Sequence, residues 1–286
     1  MARRPLLPVL AALVAFGAAG CGGGGAKSAA ASLELVVGAA KNTLGQTTRG
    51  LTTLTDPRAF GDSPAQLQAI SVFDVASQLT FARVDLPGPV EKNKSPRQDF
   101  VVLTPTTLYL DPASKAALPK GKLWLSLPLA SPSAATGRTA RYVEQAVGLD
   151  PQLLLDEIAW GGVSAAHHGS TVVVHIPLDK YVVTVDLERA LAGVGGRLAR
   201  AARIAIEEQL ASAGSHTKVD MTVLVDADGR VAQLTGSIPG SGLGTISSTM
   251  SYGIKISPST PSPAQVVPLA SVADSPAWTA KSPWDF

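Results

Sequence analysis

Segments in which apolar and polar residues alternate constrain the fold of this 286-residue chain more than any other feature. In the clearest segment, apolar side chains recur at every second position from Val219 to Val225. Because successive side chains of a strand point to opposite faces, this period of two predicts a strand with one buried face. The Asp-Ala-Asp-Gly sequence at 226–229 then predicts a tight turn, and 230–237 a returning strand. Such hairpins are typical of an antiparallel sheet that covers a core on one side.

Other segments of this kind are interspersed with stretches of helical period, which together predict a single α+β domain. We predict helices over 32–46, capped by Ser32, and over 138–147, 151–158 and 187–212. Residues 47–69 show no clear period, and regular structure is expected to stop after Ser257, where prolines accumulate. Further strands are predicted over 73–86, 100–103, 107–110, 123–127, 172–176, 181–187 and 246–256.

Composition excludes several classes of function. Basic and acidic residues nearly cancel (24 and 22, net charge +2), so we expect no nucleic-acid partner. A single cysteine excludes an internal disulfide framework and a multi-cysteine zinc site. The four histidines, including the adjacent His167 and His168, lack further ligands at metal-binding spacing, and we expect them in loops. We therefore expect no metal, no cofactor and, without a nucleophile–base motif, no enzymatic activity.

The first 21 residues are typical of an export signal. Basic residues precede an apolar run from Pro5 to Phe16, whose 12 residues are too few to cross a bilayer, which needs about 20. Small residues then lead to Cys21, and this junction resembles the lipobox of bacterial lipoproteins. In a lipobox the cysteine sulfur receives a diacylglyceryl group and becomes the new N-terminus. An ordinary signal peptide followed by a chance cysteine is the alternative.

We accordingly predict a signal peptide over 1–20, a flexible lipid-anchored tether over 21–32, a folded domain over 33–268 and a loose proline-containing tail over 269–286. The glycine run that follows Cys21 is typical of a flexible linker. The mature protein is therefore expected outside the cytoplasm, held to the cell membrane by its lipid anchor.

Five short motifs follow one another along the chain: Leu-Tyr-Leu at 108–110, Leu-Pro-Lys-Gly-Lys-Leu-Trp at 118–124, Asp-Pro-Gln-Leu-Leu at 150–154, Thr-Val-Asp-Leu at 184–187 and Val-Asp-Ala-Asp-Gly-Arg-Val at 225–231. Over about 33–265 their order resembles the actinobacterial lipoproteins of the LppX/LprG type, which are related in shape to the LolA and LolB carriers. This resemblance implies an α+β fold in which a curved antiparallel half-barrel sheet, with helices packed on its concave face, encloses an apolar cavity. The chain departs from the family at 163–176, where three of its four histidines lie, and in its proline-rich tail.

The same resemblance implies non-covalent binding of an acylated lipid or another hydrophobic ligand, and its transport through the cell envelope. An envelope transporter would then be a further partner, and a monomer is the expected state. The alternative is an envelope interaction or scaffold lipoprotein whose core is filled. From the alternation, the residues expected to line the cavity are Phe73, Val75, Leu79, Phe81, Val172, Val174, Val183, Val185, Met221, Val223, Val225, Met250 and Tyr252.

Replacing Cys21 with serine tests the predicted anchor. Without the sulfur no diacylglyceryl group can be attached, so the variant should either leave the membrane fraction or persist as an uncleaved precursor. Cell fractionation and the mass of the purified protein distinguish these states. A mature Cys21→Ser protein that still sediments with membranes would contradict lipidation at this residue.

Overall fold

The computed structural model describes residues 28–56, 65–86, 97–111, 118–129, 143, 147–148, 150–195, 199–237, 244–255 and 258–272. Within these ranges, no helix is both long and apolar enough to cross a membrane. Cys21 and most of the helix predicted over 138–147 lie outside the described residues. The described helices are α1 (Ala29–Leu44), α2 (Pro151–Gly161), α3 (Leu187–Gly193) and α4 (Ala199–Ala213).

The twelve strands in the described ranges form a single curved, unclosed sheet, which confirms the predicted α+β half-barrel. The sheet order is β12-β6-β5-β4-β3-β2-β1-β11-β10-β9-β8-β7. All neighbouring strands are antiparallel except β12, which pairs with β6 in parallel. The strands are β1 (Thr48–Asp56), β2 (Ala65–Asp74), β3 (Leu79–Leu86), β4 (Arg97–Leu103), β5 (Thr107–Asp111), β6 (Trp124–Pro128), β7 (Gly162–Val173), β8 (Ile176–Asp186), β9 (Lys218–Val225), β10 (Val231–Ser237), β11 (Thr245–Tyr252) and β12 (Val266–Pro268).

The helices cover one face of the sheet, which we call the inner face. α1 packs on β7 to β10, α2 on β7 and β8, and α3 on β8, while α1, α2 and α3 also pack in series on one another and α4 packs on α3. Cross-strand partners share a face, so the register Thr48–Tyr252, Gly50–Met250 and Thr52–Ser248 assigns every second residue of β1 and β11 to the inner face.

The hairpin of β1 and β2 was not predicted, because the middle of its inner face is made of small and polar residues. Thr48 and Thr52 are buried there, and Ser71 of β2 is 1% exposed. Gly50 explains the small side chains: a Cβ atom at this position would lie 2.7 Å from Cγ of Pro151, the first residue of α2. The helix therefore approaches the middle of the sheet so closely that the usual apolar alternation is absent.

Three predicted boundaries are corrected by the structure. α1 begins at Ala29 and is capped by Ser28, whose hydroxyl accepts a hydrogen bond from the backbone N–H of Ala31; the predicted cap, Ser32, is buried inside the helix. The helix predicted over 187–212 is two helices, α3 and α4. Regular structure also continues past Ser257, because β12 adds to the sheet and a 3₁₀ turn at Leu269–Ser271 follows it.

The first residues of the predicted loose tail, 269–272, belong to the folded domain. Leu269 and Val272 are only 5% and 7% exposed, and both pack into the apolar core. The remaining tail residues, 273–286, lie outside the described ranges.

Two glycine-to-alanine substitutions test how tightly the helices pack. A Cβ atom on Gly161 would lie 2.6 Å from the backbone oxygen of Asp186 and 2.8 Å from Cβ of Ala190, so Gly161→Ala should destabilise the fold by roughly 1–3 kcal/mol. Gly38 lies within α1, and a Cβ atom at this position would contact no neighbouring atom within 4 Å, so Gly38→Ala should stabilise by up to about 1 kcal/mol. Urea denaturation of both variants measures the difference. Equal effects would contradict close packing at the α2–β7 junction.

Candidate ligand-binding surfaces

Most residues that the sequence placed in a cavity lie on the inner face of the β8–β11 half of the sheet. The register joins β8, β9 and β10 through Val183–Met221 and Tyr181–Val223, which puts these side chains under α1 and α2. They are packed in the core rather than exposed to an open space. Those that lie on this inner face and are at most 5% exposed are Val183, Val185, Met221, Val223, Val225 and Met250.

Phe73 of β2 and Tyr252 of β11 also lie on the inner face, one on each side of β1. Phe73 is paired with Thr48 in the register and is 4% exposed. Tyr252 is half-buried, and its hydroxyl donates to the backbone oxygen of Val231 and lies 3.4 Å from Oγ1 of Thr43. Burial raises the pKa of the Tyr252 phenol to about 12, so this side chain stays a neutral hydrogen-bond donor.

Leu79 and Phe81 do not share a face with Phe73, contrary to the predicted alternation. The segment is two strands joined by a turn over 75–78, in which Gln78 has a positive φ of 55°. Because Phe73 pairs with Thr80, the inner residue of β3 is Thr80, and its neighbours point to the outer face. Phe81 there packs on Phe100, with 5.8 Å between ring centroids. Val75 lies in the turn itself and is half-buried.

Val172 and Val174 are also not inward-facing. They lie at the end of the β7–β8 hairpin and are 68% and 83% exposed. The sequence could not show this, because an alternating strand that extends beyond its neighbours has the same pattern as one that covers a core.

The β2–β6 half of the inner face is a largely aliphatic surface, of which the predicted site contained only Phe73. The alternation around Val101 and Leu108 is the signal that could have identified the rest. Buried polar residues share this face, namely Ser71, Thr80 and Asp99. The aliphatic inner-face residues there, each at most 3% exposed, are Ala69, Ala82, Val84, Val101, Leu103, Leu108, Leu110 and Leu125.

A buried polar network fixes the start of α2 on this surface. Asp150 caps the helix by accepting a hydrogen bond of 3.1 Å from the backbone N–H of Gln152. The Thr80 hydroxyl donates to the same carboxylate at 2.5 Å. The Gln152 amide donates to Oγ1 of Thr48 at 3.1 Å. One helix terminus is thereby hydrogen-bonded to β1 and β3 at once.

The carboxyl groups of α2 lie close to a small internal space. Asp150, Asp156, Leu103 and Ala202 are among the residues around a space of about 10 Å³, which has room for about one water molecule. Burial raises the pKa of Asp150 to about 6 and that of Asp156 to about 7. Near neutral pH the Asp156 side chain is therefore partly protonated, whereas Asp150 is mostly ionised and becomes neutral only at more acidic pH.

A larger groove lies at the end of the sheet, beside the β7–β8 hairpin. It has a volume of about 490 Å³ and a predominantly apolar lining. Val174 and Ile176 of the hairpin border it, together with Gln233 of β10 and Thr249 of β11. Arg230 also borders it, and its guanidinium is held by Asp226 at 2.8 Å and Asp228 at 2.6 Å.

The histidines of 163–176 lie on β7 or in its hairpin turn. His167 is on the strand, where its Nε2 atom lies 3.6 Å from Oδ1 of Asp179 and its ring packs on Tyr181 at 5.0 Å between centroids. This corrects the expectation that His167 and His168 lie in a loop. Among the described residues, no group of three or more potential ligand side chains could hold a metal ion.

Among solved structures, the chain is similar to LprF from Mycobacterium bovis, with 10% identity, a TM-score of 0.44 and coverage of 79% of this chain and 94% of that one. It is also similar to the lipoprotein LppX from Mycobacterium tuberculosis (13% identity, TM-score 0.44, coverage 80% and 98%). A LolA superfamily protein from Nitrosomonas europaea is a further neighbour (8% identity, TM-score 0.34, coverage 79% and 94%). No family model and no curated protein matches the chain. The predicted resemblance to LppX-type, LolA-like lipoproteins is confirmed as a likeness of fold.

The buried carboxyl groups predict a decrease of stability as the pH rises. Since the pKa values of Asp150 (about 6) and Asp156 (about 7) lie above the ordinary 3.8, the folded protein binds more protons than the unfolded chain between these values. The free energy of unfolding should therefore decrease from about pH 4 to about pH 7, by up to ~1.4 kcal/mol per pH unit for each group.

Asp156→Asn removes one of these titrating groups with little change of shape, so urea denaturation at acidic and at neutral pH should show a flatter dependence. Asp74→Asn is the control, because hydrogen bonds, first from the Ser77 side chain, lower the pKa of Asp74, and its removal should not flatten this decrease. An unchanged slope in Asp156→Asn would refute the assignment.

Proposed function

We propose that this protein is a membrane-anchored lipoprotein that binds a lipid or another hydrophobic ligand non-covalently between its sheet and its helices. The observation that carries the proposal is the aliphatic inner face of β2–β6, which runs from Ala69 to Leu110 and contains small and medium-sized side chains. The extensive contacts of α1, α2 and α3 with the sheet are made on β7 to β10, at the other half of the same face.

The energetics favour an acyl chain as the part of the ligand that is buried. Each methylene group transferred from water contributes about 0.8 kcal/mol, so a chain of some 16 carbons would contribute about 12 kcal/mol. This sum is comparable with the roughly 4–15 kcal/mol that association costs in lost freedom of movement. An aliphatic surface can therefore retain a long-chain lipid without a specific polar contact, and the polar headgroup would remain at the edge of the sheet.

The proposed cellular role follows from the anchor at Cys21. A lipid-anchored protein outside the cytoplasm can take a lipid from one surface and carry it through the envelope as a monomer, with an envelope transporter as a further partner. We propose no cofactor and no enzymatic step.

A filled core is the second candidate, and one observation favours it. The inner-face residues of both halves are almost completely buried, and the space beside Asp150 and Asp156 measures only about 10 Å³. An envelope interaction or scaffold lipoprotein would need no more room than this. The two candidates differ in whether the side chains that bury the β2–β6 inner face can move away from it to admit a ligand.

A matched pair of tryptophan substitutions distinguishes the two candidates. Val101 and Val223 are both inner-face valines that are at most 2% exposed, one on β4 and one on β9. If a lipid occupies the β2–β6 half, Val101→Trp should keep a near-native stability but lose co-purified lipid. Val223→Trp should overpack the α1 interface and destabilise by about 1–3 kcal/mol or more.

The measurements are the melting temperature and the lipid extracted from the purified protein, identified by mass spectrometry. Lipid in the unaltered protein that disappears in Val101→Trp supports the proposal. Unaltered protein without any lipid, together with equal destabilisation by both substitutions, would show that the core is filled.

A further inference from the structure

The β7–β8 hairpin projects beyond the rest of the sheet. The last pair between β8 and β9 is Asp179–Val225, whereas β7 and β8 remain paired to Val173–Ile176. Four residues separate Asp179 from the turn residue His175. At about 3.3 Å per residue, the hairpin therefore extends roughly 13 Å past the end of β9. We call residues 170–178 the hairpin tip.

The hairpin tip exposes large apolar side chains to solvent, where polar side chains are usual. Val172, Val174 and Ile176 are 68%, 83% and 55% exposed, and they make up half of the exposed large apolar residues in the described part of the chain. The same surface continues into the 490 Å³ groove, which Val174 and Ile176 border. A contiguous exposed apolar surface of this kind is characteristic of a site of interaction.

The backbone of the tip is unfavourable for the residues it carries. Val174 and His175 have φ values of 48° and 67° at the centre of the hairpin turn. Glycine or asparagine is the usual choice at such positions, and a β-branched residue there is strained. Neither solubility nor turn formation accounts for valine at position 174, which points to a contact outside the fold.

The absence of charged side chains in this segment selects among possible partners. From Gly162 to Leu178 the chain contains no Asp, Glu, Lys or Arg. The next residue, Asp179, lies at the base of the tip, where its carboxylate accepts a hydrogen bond of 2.7 Å from Ser170. An uncharged apolar tip fits insertion among the acyl chains of a bilayer.

The tip and the start of α1 lie at opposite ends of the domain. Leu33 and Val37 of α1 lie beside Gly162 at the start of β7, whereas Asn42 at the other end of α1 donates to the backbone oxygen of Gly229. The tip is on the side of Gly229, since Arg230 borders the same groove as Val174. The 16 residues of α1 thus separate the side of the tip from the first turn of α1 by about 24 Å.

We propose that the hairpin tip inserts Val172, Val174 and Ile176 into a lipid bilayer, and that this bilayer faces the end of the molecule opposite the start of α1. This inference builds on the proposed lipid binding, because it identifies the part of the protein that touches the surface from which a lipid is taken or to which it is delivered. The competing occupant is the tip of a second copy of this chain.

The test uses a fluorescent reporter at single cysteines. The full chain with Cys21→Ser carries Val174→Cys, labelled with an environment-sensitive nitrobenzoxadiazole dye, and is mixed with vesicles of phosphatidylcholine and phosphatidylglycerol. The controls are Leu51→Cys, at an apolar position 48% exposed in the middle of β1, and Ser212→Cys, exposed on α4. Insertion should raise the emission at 174 about three-fold or more, and spin-labelled lipids should quench it, while both controls stay nearly unchanged.

Two results would overturn the proposal: equal emission at all three positions in the presence of vesicles, or an increase at 174 that depends on protein concentration and needs no vesicles. The second result would assign the tip to self-association. In the same background, Val174→Asp with Ile176→Asp should lower vesicle binding at least about ten-fold, whereas Leu51→Asp should not. Lipid retained by the purified double variant shows that ligand binding persists, so failure of the tip and failure of the proposed function are measured separately.

Discussion

The attachment of α2 to the middle of the sheet is the constraint on which the rest of the structure depends. Asp150 is 2% exposed and would be costly to bury without partners, but it accepts hydrogen bonds from Thr80 and from the backbone of Gln152. Gly50 allows Pro151 to lie directly on β1, and Gln152 adds a bond to Thr48. α2 then supports α1 and α3, so the position of three helices over β7–β10 follows from one buried junction.

The strands next to this junction are also the ones that the sequence failed to predict. Strands β9, β10 and β11 were predicted because their inner residues are aliphatic and their outer residues are polar, which produces a clear period of two. β1 and β2 were missed because the nearby helix requires glycine, serine and threonine on the inner face instead. Alternating hydrophobicity identifies a strand that packs on apolar side chains. It does not identify a strand that packs on a helix terminus with polar groups.

The candidate site was predictable to a similar extent. Six of the predicted cavity residues are buried inner-face residues of β8–β11, because there the alternation and the turn at Asp226 define the register. Leu79 and Phe81 were assigned to the wrong face, since a turn at 75–78 reverses the chain without a glycine or proline to announce it. The turn residue with positive φ is Gln78, a residue type that gives no such signal.

The buried residues of the inner face are explained by folding, whereas the exposed residues of the hairpin tip are not. Buried valines on the inner face are explained by folding alone, because removing apolar surface from water stabilises any packed core. The side chains of Val172, Val174 and Ile176 have no such explanation: each is more than half exposed, and Val174 occupies a backbone conformation that valine disfavours. A feature that lowers the stability and solubility of the free protein is more informative about a partner than one that the fold itself requires. Burial explains the inside of the half-barrel, whereas the exposed apolar residues that folding leaves unexplained lie at the hairpin tip.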